Sequence, residues 1–357
     1  GGFSDRNRNR RGGGVASLKK LYQYHTYRGA FQLVRMLAPG CGAERGVCTA
    51  GRPPDGVSPS RDYRAMLVRL MRFNLAYGAE RLQPIHYVRY IEYALAGALA
   101  DIGEGMRVLD VGSGGSLLPA FLLSLGATVY STDIDAGVRF QPKICRLNKL
   151  LRERDLERLR VEIRDMRRTG YPEGYFDRVI LLSMVEHIHY GDDSVAMKEA
   201  ARILKPGGKI FLTFDVARDA HELIYQGRYY YGFTMDDIRG IQDEVRKDPS
   251  RRLQEDFITL KEGYNPGYTR FYNERTMMES LVAPSGLELV EHGYFGDHTF
   301  VIRAFFDRRG IVEYLHWIQP ILALLIYRRY AGANELSEKP GAIGYCVLQK
   351  PSAPPGA

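Results

Sequence analysis

The segment most suggestive of a ligand site spans residues 108–116. Val108-Leu109-Asp110-Val111-Gly112-Ser113-Gly114-Gly115-Ser116 places an apolar strand directly before a run of glycines. A strand that ends in such a turn, with a helix behind it, brings backbone N–H groups and a helix N-terminus up to a small ligand, and the missing side chains let that ligand approach. The G-x-G-x-x-G spacing of a dinucleotide site fails, because Leu117 stands at the third glycine position. Asp110, two residues ahead of the first glycine, would face a pyrophosphate badly and suits a ligand that carries an ammonium group and no phosphate. Asp133 lies 21 residues beyond Gly112, a distance at which a carboxylate commonly receives the two hydroxyls of a ribose. Asp165 and its neighbour Met166 suit an adenine: the carboxylate accepts from the exocyclic amine while the thioether packs on the ring. Any one aspartate could be a helix cap. Three at successive strand ends, with the glycine loop, describe a pocket for an adenosine that bears an amino acid.

Positioning such a pocket requires a doubly wound sheet, and the hydrophobic pattern supplies one. Short apolar runs at Arg107–Val111, Thr128–Ser131, Val161–Ile163, Arg178–Leu182 and Lys209–Phe214 alternate with helical segments such as Leu117–Leu125 and Val195–Leu204. Lys205-Pro206-Gly207-Gly208 should stop the second of these helices in a tight reversal. Two later runs, Leu287–Tyr294 and Ala342–Leu348, would complete an α/β fold with a seven-stranded, mostly parallel sheet. Ahead of it, Leu21–Leu37 and Asp62–Tyr77 show helical spacing. The domain reading is a disordered basic arm at 1–20, a helical extension at 21–86, a core at 87–296, an insertion at 297–340, and a last strand with its tail at 341–357.

Taken in order, VLDVGSGGS, VYSTDID, FDRVILLSMVEHIH and AMKEAARILKPGGKIFLTF resemble the consecutive motifs of the class I S-adenosylmethionine-dependent methyltransferases. The resemblance is strong over about residues 87–215 and looser over 270–296 and 342–350. It implies a Rossmann-like methyltransferase fold with S-adenosyl-L-methionine as cofactor. It would set Asp110, Gly112 and Gly114 around the methionine part, Asp133 at the ribose and Asp165 with Met166 at the adenine. Ser183, at the end of the fourth strand, would line the cofactor near the methyl group. Ser116 departs from the family pattern, which has a glycine there.

A sulfonium cofactor carries its own leaving group, so a protein base is needed only for a hydroxyl or a protonated amine. The candidates are Glu186, His187 and His189 after the fourth strand, and Asp215, His221 and Glu222 after the fifth. An EH pair at 186–187 is widespread in the resembling family among enzymes with different acceptors, which points to a supporting role for His187. His189 and His221 are therefore the expected acceptor-side residues. His187, His189, Asp192 and Asp193 do not make a coherent ligand set, and no metal is expected. Asn265, in Tyr264-Asn265-Pro266-Gly267-Tyr268, reads as a turn residue.

The composition narrows the partners. The 357 residues are 45% hydrophobic and 26% charged, with a net charge of +8, values normal for a globular protein and outside the disordered or collagenous classes. Arg6, Arg8, Arg10, Arg11, Lys19 and Lys20 concentrate that charge in the first twenty residues, so the remainder gives no electrostatic reason to expect nucleic acid. Cys41, Cys48, Cys145 and Cys346 have neither zinc spacing nor the density of a disulfide scaffold. The chain opens Gly-Gly-Phe with no secretory leader, so its natural start could lie upstream. A cytoplasmic protein with a small-molecule or glycan acceptor is expected. Ile311–Tyr327, followed by Arg328 and Arg329, could lie in a membrane interface as a peripheral contact, or pack on the sheet as a lid. Tyr225–Tyr231 could form an aromatic acceptor loop after the fifth strand. The competing readings are an RNA methyltransferase that uses the basic arm and a non-catalytic protein that binds the cofactor. The oligomeric state is not legible.

Overall fold

A computed structural model describes residues 8–37, 59–79, 81–83, 85–188, 191–218, 220–226, 266–295, 317–326 and 343–352. Seven strands form one sheet: β1 (Arg107–Val111), β2 (Thr128–Asp133), β3 (Leu159–Ile163), β4 (Phe176–Leu182), β5 (Leu204–Asp215), β8 (Glu288–Phe295) and β9 (Ile343–Gln349). Their order across the sheet is β3-β2-β1-β4-β5-β9-β8. The first five are parallel, and β9 runs antiparallel between β5 and β8. The strand order reverses between β1 and β4, which opens a crevice at their carboxyl ends. A separate two-stranded sheet pairs β6 (His221–Gln226) with β7 (Pro266–Phe271).

The central strands are buried on both faces, which is why they read as continuous apolar runs. Val108, Ile180 and Phe211 face one hydrophobic layer, and Leu109, Val179, Leu181 and Leu212 face the other. On the first face lie α1 (Arg8–Leu37), α2 (Pro59–Leu75), α3 (Tyr87–Leu99) and α4 (Leu118–Ser124). On the second lies α5 (Asp192–Ile203), which sets Asp192 and Asp193 in its first turn and Arg202 in its last, in accord with the helix dipole. The extension is pinned to the core by buried polar contacts. The hydroxyls of Tyr27 in α1 and Tyr90 in α3 bond at 2.5 Å, and Asn74 Nδ2 donates to Tyr90 at 3.0 Å.

The structure corrects several expectations. Helix α1 begins at Arg8, so residues 8–20 of the supposed disordered arm are helical. The helix nucleated where Tyr27 and Val34 dock continues back through Gly12, Gly13 and Gly14, because adding a residue to an existing helix needs no new nucleus. Residues 205–208 do not reverse the chain. Leu204 pairs with Phe176 and Lys209 with Arg178, so the four residues between bulge out of β5 while Gly207 N–H donates to Lys350 O. Tyr225 and Gln226 end a strand and do not begin a loop; residues 227–231 and Asn265 lie outside the described residues. Of the insertion, α6 (Gln319–Ile326) is described. It packs against α3 of the core and against α1 and α2 of the extension: Tyr63 donates to Ala323 O at 2.9 Å, and Tyr87 N–H donates to Gln319 Oε1 at 3.0 Å. No helix among the described residues is long and apolar enough to cross a membrane.

Candidate active site

The carboxyl ends of β1, β2, β4 and β5 meet α3 at one pocket. After β1 the chain turns through Gly112 (φ 70°) and Gly114 (φ 45°), both in the left-handed region that a side chain disfavours. A Cβ on Gly112 would also come within 2.5 Å of Met184 Cγ. Gly114 N–H donates to Asp133 Oδ2 at 2.8 Å, and Asp135 N–H donates to Asp133 Oδ1 at 2.8 Å. Each carboxylate oxygen thus holds one backbone donor and keeps lone-pair capacity for another. From the far side Gln141, fully buried, donates through Nε2 to the carbonyls of Gly114 and Ser116, each at 3.0 Å. Ser116, the departure from the family pattern, lies beside the buried Tyr93 of α3.

Asp110 is 2% exposed, and its Oδ2 has no hydrogen-bond partner among the described residues. Burial, and next the charge of Asp133, push its carboxyl well above the usual range, while Arg89 opposes them. A buried carboxyl oxygen without a donor is costly unless something else satisfies it. An ammonium group would do so. The residues therefore fit the amino-acid end of S-adenosylmethionine.

Around the β4 and β5 ends, α3 contributes residues that the sequence reading passed over. Glu92, fully buried, accepts from Ser183 Oγ at 2.6 Å and Thr213 Oγ1 at 2.7 Å, and pairs with Arg89 one turn earlier. This network holds Ser183 at φ 46°, a left-handed conformation that costs a non-glycine residue about 1–3 kcal/mol. Two charges three residues apart inside the otherwise apolar YVRYIEYALAGAL were the available signal. Glu186 follows β4, is 1% exposed and has an Oε2 without a partner among the described residues. Burial, followed by repulsion from Asp215, raises its carboxyl well above the ordinary value.

Other expected residues fall in different settings. Asp165 follows β3 but is gripped by Arg167, whose hydrogen bonds hold its carboxyl below the usual range. Arg167 also reaches Asp192 at 2.6 Å. Met166 is buried beside it. Asp193 is buried against Arg270 and the Tyr272 hydroxyl, which ties the β6–β7 hairpin to the start of α5. His189 lies outside the described residues, and of His221 only the backbone, as the first residue of β6, is described.

Known proteins similar in sequence to this chain are methyltransferases. Residues 109–212 match the methyltransferase domain family. A ubiquinone biosynthesis O-methyltransferase of Xanthomonas oryzae pv. oryzae (strain PXO99A) is 33% identical over 131 residues, covering 37% of this chain and 52% of that protein. The protein of the same name from Nitrosococcus oceani is 36% identical over 109 residues, covering 30% and 43%. The chain spans about half the length of the curated relatives it matches. Among solved structures, a SAM-dependent methyltransferase from Methanosarcina mazei has a TM-score of 0.44 and 14% identity, covering 70% of this chain and 94% of that one. The family match identifies residues 109–212, which hold the glycine loop and the central parallel strands, as a methyltransferase domain.

Proposed function

We propose that the protein transfers a methyl group from S-adenosylmethionine to an oxygen or nitrogen of a small molecule or glycan, and that the acceptor atom is a hydroxyl oxygen. The observation that carries this reading is the unpartnered, buried Asp110 carboxyl beside a glycine turn clasped by Asp133. The hydroxyl is favoured by the relatives, which are named O-methyltransferases, and by Glu186.

When bound, S-adenosylmethionine supplies an electrophilic methyl carbon and leaves as a neutral thioether. Asp110 takes the ammonium, and Arg89, within electrostatic reach of Asp110 and Glu186, meets the carboxylate. Asp133 receives the ribose hydroxyls with the lone pairs that the backbone leaves. Asp165 and Met166 hold the adenine, the first sharing its oxygens with Arg167. Gly112 and Gly114 shape the turn, and Ser183 lines the methyl end from the position in which Glu92 fixes it. Burial and Asp215 raise the Glu186 carboxyl, which would take the acceptor proton only from its ionised form. His189 and His221 are proposed as acceptor contacts. Ile311–Tyr327 is proposed as a peripheral membrane contact of a cytoplasmic enzyme.

The test is transfer of labelled methyl into separated metabolite, glycan, lipid and RNA pools, beside calorimetry with S-adenosylhomocysteine. Label in a base-stable methyl ether of a small molecule or glycan is expected. Binding without label in any pool, or label confined to RNA, would overturn the acceptor assignment. Absence of binding heat would overturn the pocket.

A further inference from the structure

Between Asp5 and Glu44 the sequence holds eight Arg and Lys and no acid, as many positive charges as the net +8 of the whole chain. Most of that stretch is α1, a helix about 45 Å long at its thirty residues. Tyr27, Ala30 and Val34 turn one side of α1 into the core. At about 3.6 residues per turn, Leu21, His25, Arg28, Gln32 and Met36 align on the opposite side, flanked by Tyr22, Gly29 and Leu33. That side is polar only in part: Met36 is 71% and Tyr22 64% exposed, and Leu21, Leu33 and Leu37 are exposed as well. Arg28 and Arg35, also exposed, have no ion-pair partner among the described residues. Beside α1 lies α6, which leaves Leu325 63% exposed.

We propose that the outer face of α1 docks on an anionic phospholipid bilayer. Aliphatic side chains spaced along a helix among cations, with no acid present, match the acyl boundary and the anionic headgroups together. Nucleic acid would satisfy the arginines and leave Leu21, Leu33, Met36 and Leu37 with nothing to bury against. A second copy would bring two surplus-positive helices face to face. The inference does not depend on the methyl-transfer reading. It places the contact on α1, with Leu325 of the neighbouring α6 at its edge.

Gly29 provides a clean probe, because a Cβ built there meets no atom within 4 Å. Any side chain at that position improves the helix, so loss of binding cannot be loss of fold. The full chain is sedimented with vesicles of phosphatidylglycerol and phosphatidylcholine, with pure phosphatidylcholine as the control. Binding is expected to the anionic vesicles only and to fall as salt rises. Gly29→Leu should tighten it about threefold or more, Gly29→Glu should weaken it about fivefold, and Leu33→Glu with Met36→Glu should weaken it further. Affinity for S-adenosylhomocysteine should not change in any of them. Equal binding to neutral vesicles, insensitivity to the Gly29 variants, retention of RNA in place of vesicles, or a dimer that Gly29→Glu dissociates would each overturn the proposal.

Discussion

If Asp110 receives the cofactor's ammonium group, cofactor binding should release a proton. Without ligand, burial and Asp133 favour the protonated carboxyl, and only Arg89 opposes them. The ammonium requires the ionised form. Affinity for S-adenosylhomocysteine should therefore rise with pH, with Kd falling by up to about tenfold per pH unit below the raised folded-state value. Stability should move the other way. Because the folded pKa exceeds the unfolded one, the native state binds more protons between the two, and stability contributed by this group declines as pH rises through that window. Asp110→Asn removes both slopes. It also replaces a charged hydrogen bond of about 1.5–3 kcal/mol, so Kd should weaken by about 10- to 150-fold where the wild-type carboxylate is ionised. Calorimetry in two buffers of different ionisation enthalpy, repeated across pH, counts the protons. A Kd that is flat with pH and differs by less than about twofold in Asp110→Asn would refute the assignment of the ammonium to Asp110.

Two further perturbations test the frame around the pocket. Asp193→Ala removes the buried carboxylate that Arg270 and the Tyr272 hydroxyl share and should cost about 3–5 kcal/mol in denaturant unfolding. Glu92→Ala strips the acceptor from Ser183 and Thr213 and should cost about 2–4 kcal/mol. Glu92→Gln, which can still accept from both hydroxyls, should recover about half of that loss and part of any drop in kcat. Equal losses in the two Glu92 variants would argue against a positioning role.

The legible part of this protein was the part governed by local rules. The strands came through because β1, β4 and β5 are buried on both faces, and the glycine loop because its backbone demands are written in residue types. Asp110 and Asp133 were found at strand ends, where spacing alone places them in one crevice. Glu92, Gln141 and Asp193 were not found. Their partners lie 91, 27 and 77 residues away in the chain, and no local pattern encodes such pairings. The β6–β7 hairpin escaped notice because its two strands flank a long intervening segment, so no short turn betrays it. The helix over 8–20 was misjudged because composition was weighed without the docked helix that it continues.

The position of β9 has a consequence for how the chain reaches this structure. Ile343–Gln349 is the last strand described, yet it sits between β5 and β8, bonded to both. During synthesis β5 and β8 must emerge and wait with two facing rows of unpaired N–H and C=O groups until the strand that joins them leaves the ribosome. Such edges are templates for pairing with other chains. A message truncated before Ile343 would release a polypeptide that contains the whole cofactor crevice but has a slot one strand wide in its sheet. Quality control should see it as an aggregation-prone species, although every residue proposed to touch the cofactor is present.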